Sequence, residues 1–196
     1  MANRGSRTRA QIVDAGARLF SLHGYAATGL GELLGTLGLS KGAFYHHFRS
    51  KNDLLLAVLA LLRQGYEREL LGPINNGGGG EEPVQALLGR LVELNESGQW
   101  LNCRLLARLA QETAHRPDPV AQQVADLLEW WLGACASLIV RGQTAGSVRT
   151  DMPAGQLARL LVYAWLGAVS CRHLDGELSP LSRFAAQIEA GLASPQ

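Results

Sequence analysis

Lys41 and Lys51 are the only two lysines in the chain, and each follows a serine able to cap a helix, Ser40 and Ser50. Each ammonium therefore falls at a first helical position, where the helix dipole disfavours a cation by a few tenths to about 1 kcal/mol. A bound phosphate reverses that sign, because free N–H groups, dipole and ammonium all favour an anion there. The chemistry on offer is anion binding at two helix starts, against the alternative of two solvated surface lysines. Between them, Phe44 and Phe48 stand four residues apart and share one side of a short helix, while Lys41, Gly42, Tyr45 and His46 occupy the other. One side packs and the other is free to read something. Asp53 stands three residues beyond Ser50, a capping-box arrangement with Asp in place of Glu.

Other reactive groups are sparse. Cys103, Cys135 and Cys171 are odd in number, more than thirty residues apart and without a C-x-x-C pair, which argues against a disulfide framework and a zinc site. His46 and His47 read as a packed pair or as ligands, but adjacent helical positions point about 100° apart, which disfavours joint metal ligation. An enzyme would need Cys103 as nucleophile with His115 or His173 as base. Nothing in the spacing brings these together, and there is neither a nucleophile elbow nor a Gly-rich phosphate loop ahead of a helix. The expectation is a protein that is not an enzyme and carries no cofactor or metal. Cys103 has two readings. Asn102 can cap the helix that holds it, and the positive helix end beside Arg104 would lower the thiol pKa; or the residue is a small buried hydrophobe. Cys135 and Cys171 read as packing residues.

Hydrophobic residues make up 47% of the 196 and charged residues 18%, a globular balance. Net charge is +1, but it is unevenly placed. Residues 1–51 carry seven Lys/Arg against two acidic residues, a net +5, and the remainder carries 11 against 15, a net −4. A basic head on an acidic body points to nucleic acid at the head. The polar, basic start has no secretory character, and the longest apolar run, Leu160 to Cys171, is too short to span a bilayer. A soluble, cytoplasmic protein without a membrane partner is expected.

The elements that must position these groups are helical. After a flexible basic arm over residues 1–8, Thr8 with Gln11 suggests a capped helix to about His23, packed through Ile12, Ala15, Gly16, Leu19 and Phe20 and stopped by Gly24. Thr28 can cap a second helix, with Leu30, Leu33, Leu34 and Leu37 on its packed side and Gly38 at its end. Its glycines, Gly29, Gly31 and Gly35, each cost about 1 kcal/mol against Ala within a helix. Helix, Gly-containing turn, helix is the helix-turn-helix arrangement, whose second helix enters the DNA major groove.

Phe20 to Tyr25, Thr28, and Gly38-Leu39-Ser40-Lys41-Gly42 through Tyr45-His46-His47-Phe48 to Ser50-Lys51-Asn52-Asp53-Leu54-Leu55 closely resemble the DNA-binding domain of TetR-type transcriptional regulators. The match covers roughly residues 8–60. It implies a domain of residues 1–50 that binds an operator in double-stranded DNA, and a ligand-binding and dimerisation domain of residues 51–196. By matching position, Thr28, Tyr45, His47 and Lys51 would contact phosphates, while Ser40, Lys41, Gly42, Ala43 and His46 would lie against the groove floor or walls. Gly42, lacking a Cβ, would let the backbone approach the duplex closely.

Beyond the head, a long helix from Lys51 to about Leu71 links the two parts, and Asn75 to Gly80 reads as a mobile loop. Helices follow over about 82–97, 99–114, 120–145, 153–173 and from Pro180, the last with Leu181, Phe184, Ile188 and Leu192 in one stripe. The expected fold is all-α: a three-helix head and an antiparallel bundle of about six helices. The helix from Pro153 is apolar nearly all round, with Leu157, Leu160, Leu161, Ala164 and Ala168 on one side and Val162, Trp165, Leu166 and Val169 on the other. Such a helix needs cover on both sides, which predicts a two-fold homodimer through the last two helices, the alternative being a fully internal helix in a monomer.

Trp100, Trp130, Trp131 and Trp165, with Tyr66, Tyr163 and Cys103, are the candidates to line a body cavity, although Trp130 and Trp131 cannot both face one way. That cavity, and a small-molecule inducer within it, is implied chiefly by the family resemblance. The segment Asn102-Cys103-Arg104-Leu105-Leu106 through Ala110-Gln111-Glu112 also looks like the Gly-Cys-Leu…Gln-Glu segment of a TetR-type branch that includes electrophile-responsive repressors, with Asn here in place of Gly.

Overall fold

The computed structural model describes residues 4–76, 82–97, 102–113, 119–171 and 180–193. Those residues are almost wholly helical, in the order α1 (Arg4–His23), α2 (Leu30–Leu37), α3 (Lys41–His47), α4 (Lys51–Gly65), a π-helical segment (Tyr66–Leu71), α5 (Gly72–Asn76), α6 (Pro83–Glu96), α7 (Asn102–Thr113), α8 (Pro119–Ala145), α9 (Ala154–Cys171) and α10 (Pro180–Leu192).

Helix α1 packs Ile12, Ala15, Gly16, Leu19 and Phe20 inward, as the spacing predicts. It begins earlier than expected: residues 4–8 continue the helix and are not an arm. No proline interrupts this stretch, and the Arg9 guanidinium stacks 5.0 Å from the centroid of the Phe48 ring, anchoring the first turns to the end of α3. Gly24, at φ +90°, ends α1 in a conformation that side chains rarely adopt. Gly38 ends α2 at φ +63°, with the Leu39 amide donating to Leu34 O at 3.0 Å. The expected Thr28 cap is absent. Gly29 holds that position without a side-chain bond, because Thr28 is turned into the core.

Both serine caps form. The Ser40 hydroxyl accepts from Ala43 N at 3.2 Å, and the Ser50 hydroxyl from Asp53 N at 3.1 Å. The Asp53 carboxylate reaches back to Arg49 N at 3.0 Å, one residue before the cap.

The helical run from Lys51 extends to Asn76 and is not uniform. A proline within a helix lacks the donor for the carbonyl four residues back and crowds it. For Pro73 that carbonyl belongs to Glu69. The backbone widens into a π turn just ahead of Pro73, and Glu69 O instead accepts from the Arg90 Nε of α6 at 3.0 Å. Gly72 closes the wide turn by donating to Glu67 O, where a Cβ would sit only 3.2 Å from that oxygen.

One core runs through both parts of the molecule. Leu54, Leu55, Val58, Leu59 and Leu62 of α4 pack against α1 at one end and α8 at the other. In α8, Trp131, Leu132, Cys135, Leu138 and Ile139 are buried. This helix has the length and hydropathy of a bilayer span, yet its apolar side supplies the bundle core, packed on α4, α6, α7 and α9. Helix α9 packs on α7, α8 and α10, burying Leu157, Leu161, Val162, Trp165 and Val169. The α10 stripe of Leu181, Phe184, Ile188 and Leu192 is buried throughout.

Candidate nucleic-acid interface

Helix α3 is held from beneath. Phe44 is fully buried and Phe48 nearly so, with ring centroids 5.6 Å apart. Phe20 and Tyr25 close the floor edge to face at 5.2 Å. With that side fixed, Ser40, Lys41, Gly42, Tyr45 and His46 are exposed and Ala43 and His47 are half-buried. Tyr45 is 55% exposed, in a head that buries the rings of Phe20, Tyr25, Phe44 and Phe48. An ideal Cβ at Gly42 would meet only Ser40 Oγ, at 3.8 Å, so the backbone there is open to close approach. The His46 and His47 rings meet edge to face at 5.0 Å, as a packed pair. Lys41 at the start and His46 in the last turn leave the exposed side of the short helix polar.

Two of the expected phosphate contacts are instead used inside the fold. Thr28 is 1% exposed, and its hydroxyl lies 2.7 Å from Gly24 O and 3.3 Å from Leu19 O, acceptors at the end of α1. It ties the turn to α1 and presents no hydroxyl to solvent. Lys51 donates to Tyr25 O at 2.7 Å and Thr28 O at 2.8 Å, with its ammonium 4.4 Å from the Tyr25 ring centroid. The opposing dipole at the start of α4 is thus offset by carbonyls of the turn, so the phosphate invoked for this site is not needed to explain the lysine.

The aromatic set of the body does not gather in one place. Tyr66 and Trp131 are fully buried with centroids 4.7 Å apart, and Trp130 joins them, half-buried beneath the Arg63 guanidinium at 4.7 Å. Trp165 is fully buried elsewhere, against Phe184 at 5.3 Å, its indole N–H without a hydrogen-bond partner among the described residues. Tyr163 is 51% exposed on the outer side of α9. Trp100 and the Cys103 side chain lie outside the described residues. Burial pushes the Cys135 thiol far up, so it stays protonated and packs as a hydrophobe, whereas Cys171 is exposed. A cleft of about 530 Å³ runs between α9 and α10 past Leu160, Ala164, Ala168, Phe184 and Ile188. A second, of about 310 Å³, lies where α1, α7 and α9 meet, lined by Ser21, Arg104, Arg108, Gln111, Glu112 and Ser170. Neither is walled by the tyrosines or tryptophans expected to line a cavity.

Arg108 and Glu112, on one side of α7, reach the end of α1, a pairing not foreseen from sequence because their partners are backbone groups 85 and 86 residues away. Only their four-residue spacing hinted that they act together.

A capped reading helix on a three-helix head, continued by one long helix into an antiparallel bundle, defines a helix-turn-helix regulator. The pattern described as bacterial regulatory proteins of the tetR family matches residues 12–58, and that of the tetracyclin repressor-like C-terminal domain matches residues 80–188. The chain belongs to the TetR family of DNA-binding transcriptional regulators. It is 25% identical to the HTH-type transcriptional repressor DhaR of Mycobacterium sp. strain GP1, over 90% of this chain and 87% of that one. It is 26% identical to the HTH-type transcriptional repressor NemR of Escherichia coli K12, over 96% and 95%. Among solved structures, a regulatory protein TetR from Rhodobacter sphaeroides superposes with a TM-score of 0.82 at 26% identity, covering 94% of this chain and 98% of that one.

Proposed function

We propose that this protein is a homodimeric repressor in which each subunit lays α3 in one DNA major groove, so that the pair reads the half-sites of a near-palindromic operator. The observation that carries the reading is the capped α3 with Phe44 and Phe48 buried behind it and Lys41, Gly42, Tyr45 and His46 exposed in front. Lys41 and Tyr45 hold phosphates, His46 faces base edges, and Gly42 admits the backbone to the groove wall, with Ser40, Ala43 and His47 at its margins. Lys51 serves the interface indirectly, by fixing the turn that aims α3.

Dimerisation through α9 and α10 is supported by the apolar side those helices leave uncovered. Leu160 is 48% exposed and flanks a cleft floored by Ala164, Ala168, Phe184 and Ile188, where small residues permit close helix approach. A small-molecule inducer bound by the body would favour a dimer whose heads are wrongly spaced, relayed through α4, provided its affinity differs between the two states. A regulator without such an inducer is the second reading, favoured by the packing of Tyr66, Trp131 and Trp165, each at 0% exposure.

The test is selection of bound duplexes from a random pool by the purified protein, followed by titration of Lys41→Ala and Tyr45→Ala against the selected site. Each variant is expected to lose about tenfold in affinity with a shallower salt dependence for Lys41→Ala. Unchanged binding in both variants overturns the assignment of α3.

A further inference from the structure

The turn that joins α1 to α2 is gripped from the body as firmly as from the head. From α7, Arg108 Nη1 donates to Leu22 O and Nη2 to His23 O, both at 2.9 Å. These are last-turn carbonyls of α1, where a cation also complements the helix dipole. One turn further along α7, Glu112 Oε2 accepts from Ala26 N at 2.9 Å, while its other oxygen accepts from Arg108 Nε at 3.4 Å. Gly24 leaves the space that this arrangement needs, since a Cβ there would come within 2.0 Å of Glu112 Oε1 and 3.0 Å of Arg108 Nε. On the far side of the same turn, Lys51 holds the carbonyls of Tyr25 and Thr28, and Thr28 is tied to α1. The turn cannot pivot on α7 without carrying α1 and the start of α4 with it.

We propose that Arg108 and Glu112 are positioning residues that fix the angle of the DNA-reading head on the body, and so set the half-site spacing the dimer accepts. The inference rests on the dimeric DNA-binding reading given above. Helix α3 supplies the sequence that is read, whereas the clamp supplies the distance between the two readings. Neither Arg108 nor Glu112 lies on α3, so their loss separates the two properties.

The experiment is selection from a random duplex pool by the full-length protein and by Arg108→Met, Glu112→Ala and Glu112→Gln, scoring the half-site sequence and the spacing separately. The native protein is expected to select one narrow spacing. Arg108→Met and Glu112→Ala are expected to select the same half-site with spacings spread over additional base pairs, and to bind the native spacing about tenfold more weakly. Glu112→Gln keeps an oxygen for Ala26 N and is expected to retain the narrower distribution. Gly24→Ala crowds Glu112 from the opposite side and also strains the left-handed turn, so it is expected to broaden spacing as Glu112→Ala does and to lower the midpoint of thermal unfolding as well. A spacing distribution unchanged in Arg108→Met, Glu112→Ala and Gly24→Ala overturns the clamp while leaving the regulator reading intact. Failure of the native protein to select paired half-sites overturns both.

Discussion

Lys51 and Tyr25 interlock: the Lys51 ammonium donates to the Tyr25 carbonyl at 2.7 Å and lies 4.4 Å from the centroid of the same residue's ring. The Tyr25 hydroxyl in turn donates to Asn52 Oδ1, next to Lys51 in the first turn of α4. Residues 25–28 and the start of α4 are therefore one unit, built around a half-buried cation.

Replacing Lys51 with Met removes charge-assisted bonds to the carbonyls of Tyr25, Thr28 and, at 3.5 Å, Ala26, and leaves those oxygens without this donor. The variant is expected to lose about 1–3 kcal/mol of unfolding free energy in urea titration. Lys41→Met, by contrast, changes an exposed side chain and is expected to stay within about 0.5 kcal/mol of the native protein. Equal stabilities for the two variants would refute the structural role given to Lys51.

Gly35 lies in α2 with nothing within 4 Å of the position a Cβ would take. Gly35→Ala is expected to stabilise by about 0.5–1 kcal/mol, as the backbone freedom of the unfolded chain falls. A higher midpoint of thermal unfolding checks this. A lower one would mean that α2 needs the glycine for a contact outside the monomer.

The Arg90 bond to Glu69 O exists because Pro73 has no N–H to offer that oxygen. Arg90→Met is expected to cost about 1 kcal/mol in the native background and less beside Pro73→Ala, which restores a backbone donor. The double-mutant cycle, measured by chemical denaturation, reads the coupling directly. Additive effects would detach the π turn from the proline.

Hydrogen bonding from Arg149 holds the Asp151 carboxyl below its ordinary value of 3.8 at the turn into α9. A lowered folded pKa gives stability that is present above the unfolded value and is lost as pH falls through the folded one. Asp151→Asn is therefore expected to be slightly less stable than the native protein at neutral pH. The difference should shrink and vanish as pH falls below about 3.8. Because Asp151 is exposed and Arg149 only half-buried, solvent screens the pair and the effect at neutral pH is small. Thermal unfolding across that pH range would show it, and a gap that stays constant with pH would contradict it.

The helical plan and α3 could be read from the sequence because their causes are local: serine caps, four-residue aromatic spacing and glycine stops act within a few residues. The stripes of α1 and α10 followed from the same short-range periodicity. Thr28 and Lys51 could not be placed, because a hydroxyl or ammonium at a turn suits phosphate and carbonyl oxygen equally, and only the closed fold brings the carbonyls within reach. Arg108 and Glu112 were invisible for a related reason, since a backbone acceptor has no sequence signature. The body aromatics are ambiguous for a different reason. Large rings fill a core as readily as they line a cavity, and Tyr66, Trp131 and Trp165 fill the core.

Leu62, Tyr66, Leu70 and Ile74 are all buried and recur every four residues. On an ordinary α-helix, steps of four drift around the axis by about 40° each, and such a row would wind away from its neighbours. The wide turn ahead of Pro73 takes up part of that drift, so the row stays on the bundle side, with α4 against α8 and the π turn and α5 against α6. An irregularity forced by one proline thus straightens the seam between the connecting rod and the bundle.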